Sequence, residues 1–168
     1  MPEWFQCTIK YAKVQQDGSS KDTTEFYLVD ALSFTEAEKR IIEEMTPFMT
    51  GAFEVKDIKK ARFAEIFESS DDAADCFFKM KLVFITLDER SGKEKKLTQN
   101  ILVQASSLPD SIARLNEAMK GSVQDFTISS ITESNLMDIY HYQQSAPEGY
   151  KKIYKPEYEQ GEQQSKRS

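Results

Sequence analysis

The sequence predicts an α+β protein, a tandem duplication of a β-β-α-β(β) unit forming an antiparallel sheet with two helices on one face. Three observations lead there. Period-two alternation of apolar and polar residues marks long strands. Two Ser-x-x-acid patterns mark helix starts. The whole pattern then recurs along the chain at an offset of 73 or 74 residues.

The recurrence keeps its order with only one-residue gaps. Trp4–Tyr11 lies over Phe77–Phe84, Tyr27–Ser33 over Ile101–Ser107, Phe53–Ile58 over Phe126–Ile131, and Glu65–Phe67 over Asp138–Tyr140. In the first strand Phe5, Cys7, Ile9 and Tyr11 alternate with Gln6, Thr8 and Lys10; Phe78, Met80, Leu82 and Phe84 repeat the pattern. This is the period of a half-buried strand. Gln16-Asp17-Gly18-Ser19 and Glu89-Arg90-Ser91-Gly92 read as hairpin turns, each followed by a second strand, at 23–31 and 96–105.

Helices follow. In Ser33-Phe34-Thr35-Glu36 the Ser hydroxyl accepts from a free backbone N–H and the Glu returns a bond. Ser107-Leu108-Pro109-Asp110 repeats this, with Pro109 in the first turn where its missing N–H has no helical partner to lose. Phe34, Ala37, Ile41, Ile42 and Met45 form one apolar stripe, and Leu108, Ile112, Leu115 and Met119 the other. Pro47 and Gly51 close the first helix, and Gly121 the second. A third strand begins at Phe53 and at Phe126. Its alternation slips by one residue at Asp57 and at Ser130, the mark of a β-bulge. Phe63–Phe67 and Leu136–Tyr140 continue that strand or form a fourth.

Residues 1–68 are thus the first unit, 69–75 an acidic, exposed linker, and 76–145 the second unit; together they read as one compact domain. Residues 146–168 are a Tyr/Lys-containing C-terminal arm whose polar end, Glu159–Ser168, reads as disordered.

The 168 residues are 39% apolar, 30% charged and 11% aromatic, enough aromatic content for a core. No apolar run has membrane-spanning length, and the N-terminus has no secretory pattern. Cys7 and Cys76 form no CxxC pair and suit a reducing, cytoplasmic setting. The net charge of −6 is uneven: residues 1–75 carry 9 Lys and Arg against 16 Asp and Glu, and residues 76–145 carry 8 of each. The acidic half repels a phosphate backbone, so a nucleic-acid surface has to be local.

Enzyme chemistry finds little purchase. The six glycines build no phosphate-cradling loop, there is no GxSxG, and His141 is the only histidine. Asp71, Asp72 and Asp75 lack calcium-loop spacing. A non-enzyme without cofactor or metal is expected. Two features break the repeat. The first is a basic cluster, Lys56, Lys59, Lys60 and Arg62, whose counterparts are Ser129, Thr132, Glu133 and Asn135. A charged outer face of a sheet is its plain reading, an anion contact its functional one. The second is the arm with Tyr150, Lys151, Lys152, Tyr154, Lys155 and Tyr158, which either packs tyrosines on the body or stacks on bases or a partner.

Trp4-Phe5-x-Cys7, Tyr27–Glu38, Val83–Glu89 and Leu102–Ser106 resemble a family of small proteins from Bacteroides-type bacteria and their phages, known only as a domain of unknown function. The resemblance spans roughly residues 3–142. It implies a bacterial or phage cytosol and assigns no catalytic residue. Two functions are therefore expected. One is a nucleic-acid-associated accessory protein, a phage-type single-stranded DNA binder, displaying aromatics such as Trp4 and Phe77 on the sheet. The other is a protein-interaction or structural module of a cytosolic assembly that docks a partner through a sheet edge or the C-terminal arm.

Overall fold

A computed structural model describes residues 3–122 and 124–141. The Tyr150–Tyr158 arm lies outside the described residues. The elements are β1 (Glu3–Val14), β2 (Ser20–Ala31), α1 (Phe34–Met45), β3 (Phe53–Ala61), β4 (Glu65–Phe67), β5 (Cys76–Leu87), β6 (Glu94–Ala105), α2 (Leu108–Ala118), β7 (Phe126–Ser134) and β8 (Leu136–Tyr140).

Local chemistry sets most of these. β1 and β2 pair from Glu3–Ala31 to Val14–Ser20, and β5 and β6 from Cys76–Ala105 to Leu87–Glu94. Both hairpins outrun the expected strands and turn through a glycine at positive φ, Gly18 at 85° and Gly92 at 67°, where a side chain would be strained. Both capping boxes form. Ser33 Oγ accepts from the Glu36 N–H at 3.1 Å, and Ser107 Oγ from the Asp110 N–H at 3.2 Å. The acids return bonds to the residue before each cap: Leu32 N–H donates to Glu36, and Ser106 N–H to Asp110. The bulges lie where alternation slips, because the β1–β3 register skips Lys56 and the β5–β7 register skips Ser129.

The arrangement corrects the expected architecture. There are two four-stranded sheets, ordered β3-β1-β2-β8 and β4-β6-β5-β7. Neither is purely antiparallel, since β8 runs parallel to β2 and β4 parallel to β6. Each half of the chain gives its last strand to the other half's sheet. The two exchanges match in register: Ile66 sits opposite Leu102, and Ile139 opposite Leu28. A hairpin back onto β3 would make β4 an outer strand just as its place beside β6 does, so edge position does not decide between them. Crossing to β6 instead puts Ile66 against the core shared by the sheets and Phe67 against the second sheet's core.

The helices do not share one face either. Cys7, Ile9, Tyr27 and Val29 pack with Ile41 and Met45 of α1 on one side of the first sheet. Met80, Leu82, Ile101 and Val103 pack with Leu115 of α2 on one side of the second. The opposite faces meet at Leu28, Phe77, Leu102, Leu136 and Ile139. The layers run helix, sheet, sheet, helix. A half-buried sheet has two faces, and each helix covers one while the other sheet covers part of the other.

Burial at the centre pushes the Cys7 thiol up to about 12, with the Asp57 carboxylate adding to it, so Cys7 behaves as a core apolar group. The linker is less free than expected. Gln104 accepts from the Ser69 N–H and donates to the Ala74 carbonyl, both at 2.9 Å. Arg114 of α2 donates to Ser69 and to Asp71. No helix among the described residues is long and apolar enough to cross a membrane.

Candidate nucleic-acid interface

Strand alternation splits the expected Lys56–Arg62 cluster. Lys59 pairs with Gln6 and projects from the face away from α1. Lys60 pairs with Phe5 on the α1 side and is ion-paired with Glu3 at 3.1 Å. Lys56 sits in the bulge and lines a shallow groove with Phe34, Glu38 and Asp57. Arg62 is exposed just beyond the strand. All four reach water, but adjacent acids interrupt them and no single face holds them together. Tyr150, Lys151, Lys152, Tyr154, Lys155 and Tyr158 lie outside the described residues.

The expected aromatic display also fails. Phe77 is 2% exposed and belongs to the core between the sheets. Trp4 is half-buried at the same junction, edge-on to His141 with ring centroids 5.0 Å apart. These rings are occupied by packing, because the face expected to be open is the one the second sheet covers.

A different surface is cationic. On the face of the second sheet away from α2, β5 presents Lys79, Lys81, Val83 and Ile85. Its paired neighbours are Leu102, Asn100, Thr98 and Lys96 on β6, and Thr132, Ser130 and Thr127 on β7. From Lys79 to Val83 no paired residue on this face is acidic; Asp125, whose carbonyl accepts from the Ile85 N–H, and Glu94, paired with Leu87, stand at its turn end. Lys79, Lys81, Lys96, Asn100, Thr98, Ser130 and Thr132 are all exposed. Leu102 is fully buried and marks where the sheets close on each other. The equivalent first-sheet face carries Gln6, Thr8 and Asp22 in place of the three lysines, beside Glu54 and Asp57. The two sheets thus share a backbone plan and differ in charge. Sequence reasoning alone passes over Lys79 and Lys81 as the ordinary polar half of an amphipathic strand. The available sign is that they break the repeat, as the Lys56–Arg62 cluster does.

Beside the junction lies a polar knot. His141 Nε2 is 2.6 Å from Glu68 Oε1, with the side chains 14% and 4% exposed. Glu68 Oε2 is buried with no hydrogen-bond partner among the described residues. Position 68 follows β4 and position 141 follows β8, so the pair ties the ends of the two exchanged strands. Nearby, burial pushes the Asp138 carboxyl up to about 6, helped by the Glu68 and Glu44 charges and opposed by the Ile139 N–H and His141. No group of three or more His, Cys, Asp or Glu among the described residues is placed to hold a metal.

This is a two-sheet α+β protein with exchanged edge strands and a row of lysines on the open face of its second sheet, an arrangement able to offer ammonium donors to anionic oxygens. The chain belongs to the family described as Domain of unknown function (DUF4494), which matches residues 3–142. No curated protein matches it.

Proposed function

We propose that the protein is a non-enzymatic, nucleic-acid-associated accessory protein that binds single strands through the open face of its second sheet. One observation carries this reading: Lys79, Lys81 and Lys96 project from a solvent-exposed face whose nearest acids, Glu94 and Asp125, stand only at its turn end. In a chain of net charge −6, a locally cationic face is where an anionic polymer meets attraction rather than repulsion. Three phosphate contacts give a log–log salt slope of about −2, at roughly −0.7 per contact for a single strand. Fluorescence anisotropy of a labelled 20-mer oligonucleotide across salt concentrations tests it. Binding at low salt with that slope supports the reading; no binding at low salt ends it.

A second reading has its own observation. Among the described residues, β3 and β7 are both outer strands of their sheets. β3 carries five charged residues in nine, a device that discourages edge pairing, whereas β7 carries only Glu133. The second reading is an interaction module that adds a partner's strand to β7. Ser129→Lys, which copies at the β7 bulge the charge that β3 carries at Lys56, would then abolish partner binding while leaving oligonucleotide binding intact.

The matched exchanges, paired caps and paired bulges support origin by tandem duplication of one β-β-α-β(β) unit. The two free thiols suit a reducing, cytoplasmic setting.

A further inference from the structure

We infer that the second-sheet face recognises the phosphate chain alone and is blind to the bases. This rests on the reading above and narrows it to a ligand class: an extended polyphosphate or phosphodiester chain laid along β5. The geometry is a track. Lys79 and Lys81 are two residues apart on one strand, so about 7 Å apart along it. Lys96 on the neighbouring strand is level with Ile85, about 14 Å beyond Lys81 and one strand spacing, about 5 Å, to the side. The row ends at one side against buried Leu102 and the core between the sheets. At the other side it stops at the β5–β6 turn, where the exposed Arg90 and Lys93 are offset by Asp88, Glu89 and Glu94. Along it the remaining side chains are Val83, Ile85, threonines, Asn100 and Ser130, an uncharged floor.

The missing group is as informative as the lysines. Stacking on exposed aromatic rings is how single-strand binders hold bases, each stack giving about 5- to 100-fold in affinity. The aromatic residues of β5 and β7 are turned away from this face. Phe78, Phe84 and Phe126 project to the α2 side, and Phe77 is sealed between the sheets. Among the described residues, no ring stands on the track. Lysines are point charges without the planar fork that reads base edges bidentately. The face can therefore count phosphates while offering no aromatic or guanidinium plane to the bases, and its other polar groups, Asn100, Thr98, Ser130 and Thr132, are short side chains lying below the reach of the lysines.

The test uses the full chain and three probes: a labelled oligo-dT 20-mer, an abasic 20-mer of the same length, and inorganic polyphosphate as competitor. The expected result is equal affinity for the two oligomers within about twofold, displacement of both by polyphosphate, and a salt slope of about −2 for each. The Lys79→Gln/Lys81→Gln/Lys96→Gln variant, checked for native circular dichroism, should flatten that slope by about 2. Binding to oligo-dT that is more than tenfold tighter than to the abasic strand overturns this inference and leaves the nucleic-acid reading standing. Unaltered binding by the triple variant overturns the assignment of the face. No binding to either oligomer at low salt overturns the functional reading and this inference with it.

Discussion

Replacing Asp138 by asparagine should stabilise the protein at neutral pH and remove part of its pH dependence. Asp138 lies on β8, opposite Tyr27 of β2, and its carboxyl is pushed from an ordinary 3.8 up to about 6. Burial is the largest cause, and Glu68 and Glu44 add repulsion. A raised carboxyl pKa means the fold holds the proton more tightly than the unfolded chain does. The contribution is therefore fully favourable below about pH 4 and is lost as pH rises through about 6. A shift of about 2 units at 1.36 kcal/mol each corresponds to about 3 kcal/mol between those limits. The amide of the Asp138→Asn variant carries no charge to bury, and its oxygen can still accept from the Ile139 N–H, as Asp138 does at 2.9 Å. Urea melts of both proteins at pH 4, 5, 6 and 7.5 read the difference directly, and taking the difference cancels the other carboxylates. The variant should match wild type near pH 4, gain steadily to about pH 6, and lead by about 1–3 kcal/mol at pH 7.5. A difference that stays constant across that range, or a variant less stable at pH 7.5, would refute the reasoning.

Two further stability outcomes follow from the geometry. Ser33→Ala and Ser107→Ala should each cost about 0.5–2 kcal/mol in denaturant melts, the usual range for a lost N-cap, and unchanged melts would show that the hydroxyls do not hold the helix starts. Leu102→Ala should cost about 2–5 kcal/mol, because Leu102 is fully buried in the core between the sheets; a cost below about 1 kcal/mol would mean that the sheets do not depend on that core.

The sequence by itself determined whatever depends on neighbours along the chain. Alternation placed Phe5–Tyr11 and Phe78–Phe84 on one face of their strands, because a strand's side chains alternate regardless of what covers them. Ser33 with Glu36, and Ser107 with Asp110, fixed the helix starts, since the cap and its returned bond span only four or five residues. The slips at Asp57 and Ser130 located the bulges for the same local reason. Membership in the family, over residues 3–142, likewise lies in the order of residues.

Tertiary structure alone decided which surfaces meet. β4 has three residues, too few to carry a register preference of its own, and only the cores on offer send it to β6 rather than back to β3. That exchange brings Glu68 beside His141 and turns Phe77 inward, contacts between residues far apart in sequence. It also decides the candidate site. Alternation says that Lys79 and Lys81 point away from α2, but whether that side is buried or wet depends on how far the first sheet extends over it. The closed core stops at Phe77 and Leu102, so the lysines beyond them stand in water.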